Sequence, residues 1–333
     1  MKFGPVPLVQ AEGAILAHSV TVSSRKKLRK GRVLSAQDVA DLGCAGIQEV
    51  TVARLGAADV HEDAAATALA AAFAPDPVGQ GLSCTKAFTG RVNLMAARPG
   101  VVQMDTHAID AVNQVHPMIT IATVPPLHQM QTGGMVATIK IISYAVPRAE
   151  LVRACALAQA ALRVTGPAVA SVDLIISEIP GGAGDKGWRA IAARVARFGI
   201  EMAPPVAVPH RTEALAVALG RSRADLTLIL TGSATSDPDD VAPEALRRAG
   251  GTVERFGMPV DPGNLLFIGT LAGRRVIGLP GCARSPALNG ADWVMSREIC
   301  GIAVTGGDIA AMGVGGLLKE IPTRPQPRDP TKS

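Results

Sequence analysis

From about residue 168 onward, apolar segments of strand character alternate with segments of helical period. The runs VASVDLIIS and ADLTLIL are almost continuously apolar, and each leads through a turn to a helical pattern, KGWRAIAARVARFG or PDDVAPEALRRAG. Strands separated by helices of about ten or more residues are typical of βαβ units with parallel pairing. The sequence therefore predicts an α/β domain over 168–315, with a mostly parallel sheet and a ligand site beyond the carboxyl ends of its strands.

Residues 1–165 do not show this regular alternation. They mix short strands, turns and helical pieces, as in GRVLSAQDVADLGCAGIQEVTVARL, where Ser35 can cap a helix and Gly46 can end it before a strand. We predict a mixed α+β N-terminal region made of one domain or of two small subdomains. The segment 316–333 is rich in proline and charge, which predicts an extended or disordered tail.

The composition argues against several classes of protein. No stretch reaches the roughly 18 uninterrupted apolar residues that a membrane helix needs, and the N-terminal MKFGPVPLVQAEGAIL lacks the apolar core of a signal peptide. The five cysteines are widely spaced without a C-x-x-C pair, so neither a disulfide framework nor a zinc site is expected. We therefore expect a cytoplasmic protein with no membrane partner.

Much of the formal net charge of +5 comes from the run SSRKKLRKGR, which contains six basic residues. Such a run is either a solvated loop or a patch that attracts an anionic ligand or partner. Because no aromatic side chain is interleaved to stack on bases, we expect no nucleic-acid binding.

The segment TGSATSDPDD follows the second apolar strand and has the composition of an anion site. Gly232 allows the backbone to approach a ligand closely, and a helix beginning near Pro238 would point its N–H groups at an anion. The loop residues that we expect to contact the ligand are Gly232, Ser233, Ala234, Thr235 and Ser236.

Three aspartates crowd the same loop, and two explanations stay open. Asp237 can cap the helix while Asp239 and Asp240 favour its first turn. Alternatively, a carboxylate-bound Mg²⁺ that also contacts phosphate oxygens removes the repulsion between these carboxylates and an anionic ligand. We predict that Asp237 caps the helix and that Asp239 is solvated. Asp240 should point into the site and position a cation with Glu178 or Asp185.

Two further loops, ISEIPGGAGDKG and GLPGCARSP, are expected at the same side of the sheet because each follows a strand or precedes a helix start in the alternating pattern. A turn with a capping aspartate and a solvated surface arginine are the alternatives. We expect the arginine of the second loop to lie at the start of the last helix, where it can hold a phosphate or a carboxylate. The candidate residues of the two loops are Ser177, Glu178, Asp185, Lys186, Gly281, Arg284 and Ser285.

Three motifs resemble, in their order, those of the molybdopterin-binding domain found in molybdopterin adenylyltransferases and molybdopterin molybdotransferases. GSATSDPDDVAPEA resembles G-G-T-G-x-T-x-R-D-x-T-x-E-A, SEIPGGAGDKG resembles S-D-R … D-K-G, and DPGNLLFIGTLAGRRVIGLPGCARSP resembles K-P-G-K-P … G-L-P-G-N-P-x-S. The chain departs from these patterns by replacing two glycines, one arginine and one aspartate. These departures are Ser233, Thr235, Asp239 and Glu178.

The resemblance covers about 168–300 and implies a three-layer fold with helices on both faces of the sheet. It nominates Glu178, Asp185 and Asp240 as catalytic residues, with Asp240 and Glu178 as Mg²⁺ ligands. In the family, the glycine-rich loop would cradle the dithiolene-linked phosphate of molybdopterin, while the loop at 281–285 would close the pocket. N-terminal segments such as AEGAILAHSV are similar to abbreviated pieces of molybdotransferases.

The resemblance also implies a place in molybdenum cofactor biosynthesis, with three functions open. The chain could bind and hand on molybdopterin as a molybdotransferase-like enzyme, or transfer a nucleotidyl group from ATP or CTP with Mg²⁺. The alternative is a carrier or scaffold without catalysis, which holds a cofactor-processing enzyme or a molybdoenzyme. A homo-oligomer that takes a small-molecule pterin and a nucleotide is implied in each case.

Overall fold

The computed structural model describes residues 1–182 and 187–318, and the chain divides into two compact units. Unit 1 comprises Met1–Arg98 and Val102–Thr165, and unit 2 comprises Pro99–Val101 and the chain from Gly166 onward. Two clusters of buried apolar side chains form the core of unit 1, and another lies in unit 2. In the described parts of the chain, no helix is long and apolar enough to span a bilayer.

Unit 1 is a mixed α+β arrangement of short strands and four helices within the described residues. Its helices and strands are β1 (Lys2–Pro7), a 3₁₀ helix (Leu8–Gln10), β2 (Ile15–Leu16), β3 (Val20–Ser23), β4 (Lys26–Leu28), α1 (Ala36–Cys44), β5 (Glu49–Arg54), β6 (Asp59–His61), α2 (Glu62–Phe73), β7 (Leu82–Cys84), β8 (Arg91–Ala96), β9 (Gly100–Met104), α3 (Thr106–Val115), β10 (Ile119–Thr123), β11 (Gln129–Met130), β12 (Met135–Ile141), β13 (Ala145–Pro147), α4 (Arg148–Leu157) and β14 (Leu162–Thr165).

The first part of unit 1 forms where the sequence signals predicted it. Ser35 caps α1 in a capping box with Asp38, and Gly46 follows the helix with φ of +77° before strand β5 begins. The basic run, for which the sequence predicts either a solvated loop or a charged patch, contributes the turn and the second strand of the β3–β4 hairpin. Its cations are not all free, because Lys26 pairs with Asp41 and Arg32 Nε lies 2.8 Å from Asp38 Oδ2.

The larger part of unit 1 packs an alanine-rich helix on an antiparallel sheet. Helix α2 contacts β8 and β12, which lie side by side in the sheet of order β10-β12-β8-β7. Leu69 and Phe73 are fully buried in this contact, together with the alanines Ala65 and Ala66. The small alanine side chains let the helix backbone approach the sheet, and the opposite face of the helix, with Ala64, Thr67, Ala68 and Ala71, is exposed.

Unit 2 is built on one six-stranded sheet of order β16-β15-β17-β20-β19-β18. Strand β19 is antiparallel to both of its neighbours, and the other three pairings are parallel. The prediction of a mostly parallel α/β sheet is therefore confirmed. The elements are β15 (Val172–Glu178), α5 (Trp188–Ala196), β16 (Val206–Pro209), α6 (Thr212–Arg221), β17 (Leu226–Leu230), α7 (Val241–Arg248), β18 (Thr252–Phe256), β19 (Phe267–Leu271), β20 (Arg274–Leu279), a 3₁₀ helix (Gly281–Arg284), α8 (Gly290–Ile299), α9 (Gly306–Ala310) and a 3₁₀ helix (Ala311–Gly313).

The register of the central strands decides where the candidate loops lie. Leu230 at the end of β17 pairs with Ile176 on one side and with Leu279 on the other. Strands β15, β17 and β20 therefore end at the same level and point the same way. We call the side of the sheet where they end the carboxyl edge; the three loops expected there do leave from it.

A glycine in β20 makes room for an aromatic ring of the neighbouring strand. Gly278 lies directly opposite Phe267 in the β19–β20 pair, and the Phe267 ring occupies the space that a side chain at 278 would need. An added Cβ would lie 1.9 Å from Phe267 Cε1. Because Phe267 belongs to the buried core under α6 and α7, the ring cannot swing into solvent.

We expect Gly278→Ala to lower the free energy of unfolding of unit 2 by about 1–3 kcal/mol, because overpacking forces a core side chain off its rotamer. Both tryptophans, Trp188 and Trp293, lie in unit 2, so urea unfolding followed by tryptophan fluorescence reports this unit. Gly220→Ala is the matched control, since Gly220 lies in α6 with open space around it and alanine favours a helix. Equal midpoints for the two variants would contradict the prediction.

Candidate functional site

Two of the loops at the carboxyl edge are in direct contact. A Cβ added to Gly232 would lie 2.6 Å from the carbonyl oxygen of Ser177 and 3.1 Å from the backbone nitrogen of Ile179. The Gly232 N–H donates to Ser177 Oγ at 3.3 Å. Glycine is required at 232 because any side chain would push apart the loops after β15 and β17.

A histidine that the sequence reading did not select joins this contact. His210 follows β16, and its Nδ1 lies 2.8 Å from Ser177 Oγ, while its backbone N–H donates to the carbonyl of Glu178. Ser177 is fully buried, whereas Glu178 is exposed at the end of β15. Applying the carboxyl-edge rule to the fourth parallel strand, β16, would have pointed to His210.

The loop after β17 folds over a pair of threonine hydroxyls. Thr231 Oγ1 donates to the Ser233 carbonyl at 2.6 Å and lies 3.3 Å from Thr235 Oγ1. Thr235 is buried, while Ser233, Ala234 and Ser236 are exposed. The loop therefore encloses the contact between the two threonine hydroxyls, and the other three residues are exposed to solvent.

Three consecutive backbone N–H groups of this loop form a candidate donor set. Within the described ranges, no acceptor takes the N–H groups of Ser233, Ala234 and Thr235, whereas the next one, Ser236 N–H, donates to Asp240 Oδ2 at 3.0 Å. Successive unpaired N–H groups in a turn form a concave donor set that favours anions. We call residues 233–235 the amide cradle.

The helix after the cradle begins later than predicted, and a different aspartate caps it. Asp240 is the N-cap of α7, its Oδ1 accepting from Val241 N–H at 2.7 Å. The prediction that Asp237 caps the helix is therefore wrong; its carboxylate accepts from the Asp239 N–H in a preceding turn. The reason is Pro243: a start at Pro238 would put it inside the helix, where it lacks the needed N–H and its ring clashes.

The remaining aspartate of the loop lies in solvent, as predicted. The Asp239 side chain is 86% exposed and lies 3.2 Å from Arg247 Nη1. Such an exposed pair contributes little to stability. Asp239 therefore does not bring its charge to the amide cradle.

Arg284 links the third loop to the other two, although it does not begin a helix. It ends the 3₁₀ turn Gly281–Arg284, and α8 begins only at Gly290, so its predicted place at a helix start is wrong. Arg284 Nη2 donates to the Thr231 carbonyl at 2.6 Å, and its stem packs against Gly187, where an added Cβ would lie 2.5 Å from Arg284 Cγ.

The Arg284 guanidinium has donor capacity to spare. Its Nε is buried, and no acceptor for it occurs among the residues that the structure describes. Burial lowers the pKa of this group, yet an arginine stays protonated in proteins. A half-buried cation at the carboxyl edge, whose Nε has no acceptor in the described part of the chain, favours an anionic ligand.

A second arginine holds the third loop from inside. Arg194 of α5 is buried, and its Nε donates to Asp292 Oδ1 at 2.6 Å. Its other nitrogens donate to four carbonyls, those of Ala190, Ala283, Ser285 and Ala287. Asp292 also completes the capping box at the start of α8. One guanidinium thus fixes the path of the chain from 283 to the helix.

Four further candidate residues complete the set. Asp185 and Lys186 lie outside the described residues. Gly281 and Ser285 are exposed, and Ser285 Oγ accepts from the Ala287 N–H at 3.2 Å. The described residues contain no group of three or more His, Cys, Asp or Glu side chains placed to hold a metal ion.

Residues 165–296 match the family model described as a probable molybdopterin binding domain, and residues 5–54 match a domain of unknown function, DUF8806. The comparison with curated proteins gave no match. Among solved structures, the molybdopterin biosynthesis MoeA protein of Pyrococcus horikoshii is similar at 12% identity, over 93% of this chain and 77% of that chain, with a TM-score of 0.32. A molybdenum cofactor biosynthesis protein of Pyrococcus furiosus is similar at 14% identity, over 85% of this chain and 59% of that chain, with a TM-score of 0.23. The similarity to a molybdopterin-binding domain is therefore carried by the match over residues 165–296.

We expect Arg194→Leu to lower the free energy of unfolding of unit 2 by about 3–5 kcal/mol, because it leaves Asp292 buried without its cation. Arg194→Lys should recover only part of this loss, since one ammonium cannot reach the carboxylate and four carbonyls together. Arg189→Leu, an exposed arginine on the same helix, is the control and should change stability by less than about 0.5 kcal/mol. Urea unfolding measures the stability of all three variants. If Arg189→Leu and Arg194→Leu lower the free energy of unfolding by similar amounts, the buried network does not stabilise unit 2 more than an exposed arginine does.

Proposed function

Because residues 165–296 are a member of the probable molybdopterin binding domain family, we propose that the carboxyl edge of unit 2 binds molybdopterin or its nucleotide form. The amide cradle is the observation that carries this proposal. Its three unpaired N–H groups lie on the loop that Arg284 contacts through the Thr231 carbonyl. A phosphate accepts from backbone N–H groups and from a guanidinium together. We assign the phosphate of the pterin ligand to this position.

We propose a role in molybdenum cofactor biosynthesis, with the pterin held for transfer as the preferred function. Nucleotidyl transfer from ATP or CTP is the second candidate, and a carrier or scaffold for a partner enzyme is the third. Incubation of the purified chain with molybdopterin, Mg²⁺, molybdate and each nucleotide, followed by mass analysis of the small molecules, separates them. A new nucleotide–pterin product supports the second function, a molybdenum-loaded pterin supports the first, and tight binding without a product supports the third.

The acids at the edge enter the proposal as ligands for a cation. We propose that Glu178 and Asp240 contribute to a Mg²⁺ site, with Asp185 as the third acid. Both Asp240 oxygens already accept from backbone N–H groups, but a carboxylate oxygen has a further lone pair for a metal. Because two acids do not make a complete site, phosphate oxygens of the ligand would supply the remaining positions.

The proposal also covers the arrangement of helices around the sheet of unit 2 and the oligomeric state of the protein. All five residues of β17 are buried, although alternate side chains point to opposite faces of the sheet. Helices covering both faces would produce this burial, so we propose the three-layer arrangement for unit 2. We also propose a homo-oligomer that delivers its pterin to a cofactor-processing enzyme or a molybdoenzyme; light scattering and co-purification test these two points.

We expect Arg284→Gln to weaken molybdopterin binding about 10- to 100-fold, because a charge-assisted hydrogen bond contributes roughly 1.5–3 kcal/mol. Arg223→Gln is the control, since Arg223 lies before β17, at the opposite end of that strand, and bonds to the Gly220 carbonyl. Anaerobic titration gives the two affinities, and thermal melts confirm that both variants are folded. A folded Arg284→Gln protein with unchanged affinity would remove Arg284 from the site.

We expect Asp240→Asn to reduce Mg²⁺-dependent binding to the level seen without Mg²⁺. Asparagine caps a helix about as well as aspartate, so the loss of stability should stay within about 1 kcal/mol. Asp237→Asn, in the same loop but outside the cap, is the control and should keep the Mg²⁺ dependence. If Asp240→Asn lowers the melting temperature strongly while affinity per folded molecule is unchanged, the carboxylate is structural only.

A further inference from the structure

Unit 1 contains a polar cavity that is separate from the site at the carboxyl edge. Its volume is about 160 Å³, enough for on the order of ten water molecules. Lys30, Glu62 and Lys140 line it, together with Thr89 and Tyr144. Two ammonium groups and one carboxylate give the cavity a net positive charge, which favours a ligand with an anionic group.

The Glu62 carboxylate lacks hydrogen-bond donors. Glu62 is only 8% exposed, and no group in the described chain donates to its side-chain oxygens. The Lys140 ammonium is 3.8 Å from Glu62 Oε2, beyond hydrogen-bond distance, and donates instead to the Thr89 carbonyl. Burial raises the pKa of Glu62, although the charge of Lys140 acts in the opposite direction. Because no described protein group donates to this carboxylate, both of its oxygens can accept hydrogen bonds from a ligand in the cavity.

The protein closes the other approaches to this carboxylate. Gly90 lies against it, so that an added Cβ would be 2.6 Å from Glu62 Oε2. The Tyr144 hydroxyl donates to the Ala17 carbonyl at 2.8 Å and is therefore not available to Glu62. A hydrogen-bond partner for Glu62 can therefore come from a ligand in the cavity, which Lys30 and Lys140 also line.

We propose that this cavity binds the 2-amino-4-oxopyrimidine edge of a small anionic heterocycle. The two oxygens of Glu62 accept from the ring N–H and the exocyclic amino group, which present two parallel donors as an arginine does. Lys30 and Lys140 contact the ring carbonyl and the anionic group. Pterins and guanine nucleotides share this edge. The choice of a pterin rests on the proposed function, whereas the recognition chemistry rests on Glu62 and the lysines alone.

The test is calorimetric titration of the full chain with two ligand pairs that differ only at the 2-position. Pterin-6-carboxylate is compared with lumazine-6-carboxylate, and guanosine monophosphate with inosine monophosphate. All titrations are made in an Arg284→Gln background, so that the carboxyl edge contributes little. We expect one of the 2-amino ligands to bind at least tenfold more tightly than its partner, and the pair that shows this identifies the source of the edge.

Two variants and one control decide the assignment. Glu62→Gln should weaken binding at least tenfold and remove the discrimination between partners, while Lys30→Gln, an exposed residue whose loss cannot unfold the unit, should weaken it several-fold. Glu49→Gln, an exposed acid on β5, should change nothing. The proposal is overturned if no ligand binds at millimolar concentration, or if the two ligands of each pair bind equally well. It is also overturned if Lys30→Gln and a folded Glu62→Gln protein both keep the original affinity. One further result would overturn the proposal for this cavity and leave the proposed function intact. In that result, Arg284→Gln alone abolishes pterin binding, whereas Glu62→Gln alone does not change it.

Discussion

The site in unit 2 depends on the ion pair between Arg194 and Asp292. The pair is buried, and its attraction alone would not offset the cost of removing two charges from water. What makes it favourable is the set of four carbonyls that accept the remaining guanidinium N–H groups. Two of these carbonyls, those of Ser285 and Ala287, belong to the segment between the 3₁₀ turn and α8, and a third, that of Ala283, belongs to the turn itself. The arginine thus converts an irregular stretch of chain into a fixed support for Arg284.

The three loops meet because parallel strands end at one level, and they stay close because of glycine. At Gly232 the backbone of one loop comes within contact distance of the Ser177 carbonyl of the next. At the same place Ser177 Oγ lies 2.8 Å from His210 Nδ1, and in the described chain no acceptor takes the amides that follow Gly232. Geometry that places bare N–H groups at the end of a buried sheet creates a binding surface for anions without any dedicated cationic side chain. Arg284 adds charge to a surface that the backbone already provides.

Much of unit 2 could be predicted from the sequence because its signals are local and repeated. Continuous apolar runs predict the strands β15 and β17, and helical periods predict the helices α5 and α7. The start of α7 was misjudged because three aspartates each make a good cap, and only Pro243 chooses among them. Neither Arg194 nor His210 stands out in sequence, since their partners lie far along the chain. In unit 1 the cavity at Glu62 depends on contacts among segments near residues 30, 62, 89 and 140, which no local pattern reveals.

The cradle loop carries side chains where the family pattern has two glycines, and this substitution has a thermodynamic consequence. Neither Ser233 nor Thr235 has a positive φ, so glycine's conformational freedom is not required at either position. Replacing glycine where the native backbone suits other residues narrows the ensemble of the unfolded chain. The hydroxyl contact between Thr231 and Thr235 restrains the loop further. In the proposed binding of an anion to these amides, less conformational entropy of the loop would then be lost. A stiff loop also has a narrower range of conformations, so it would bind anions of one size well and anions of other sizes less well.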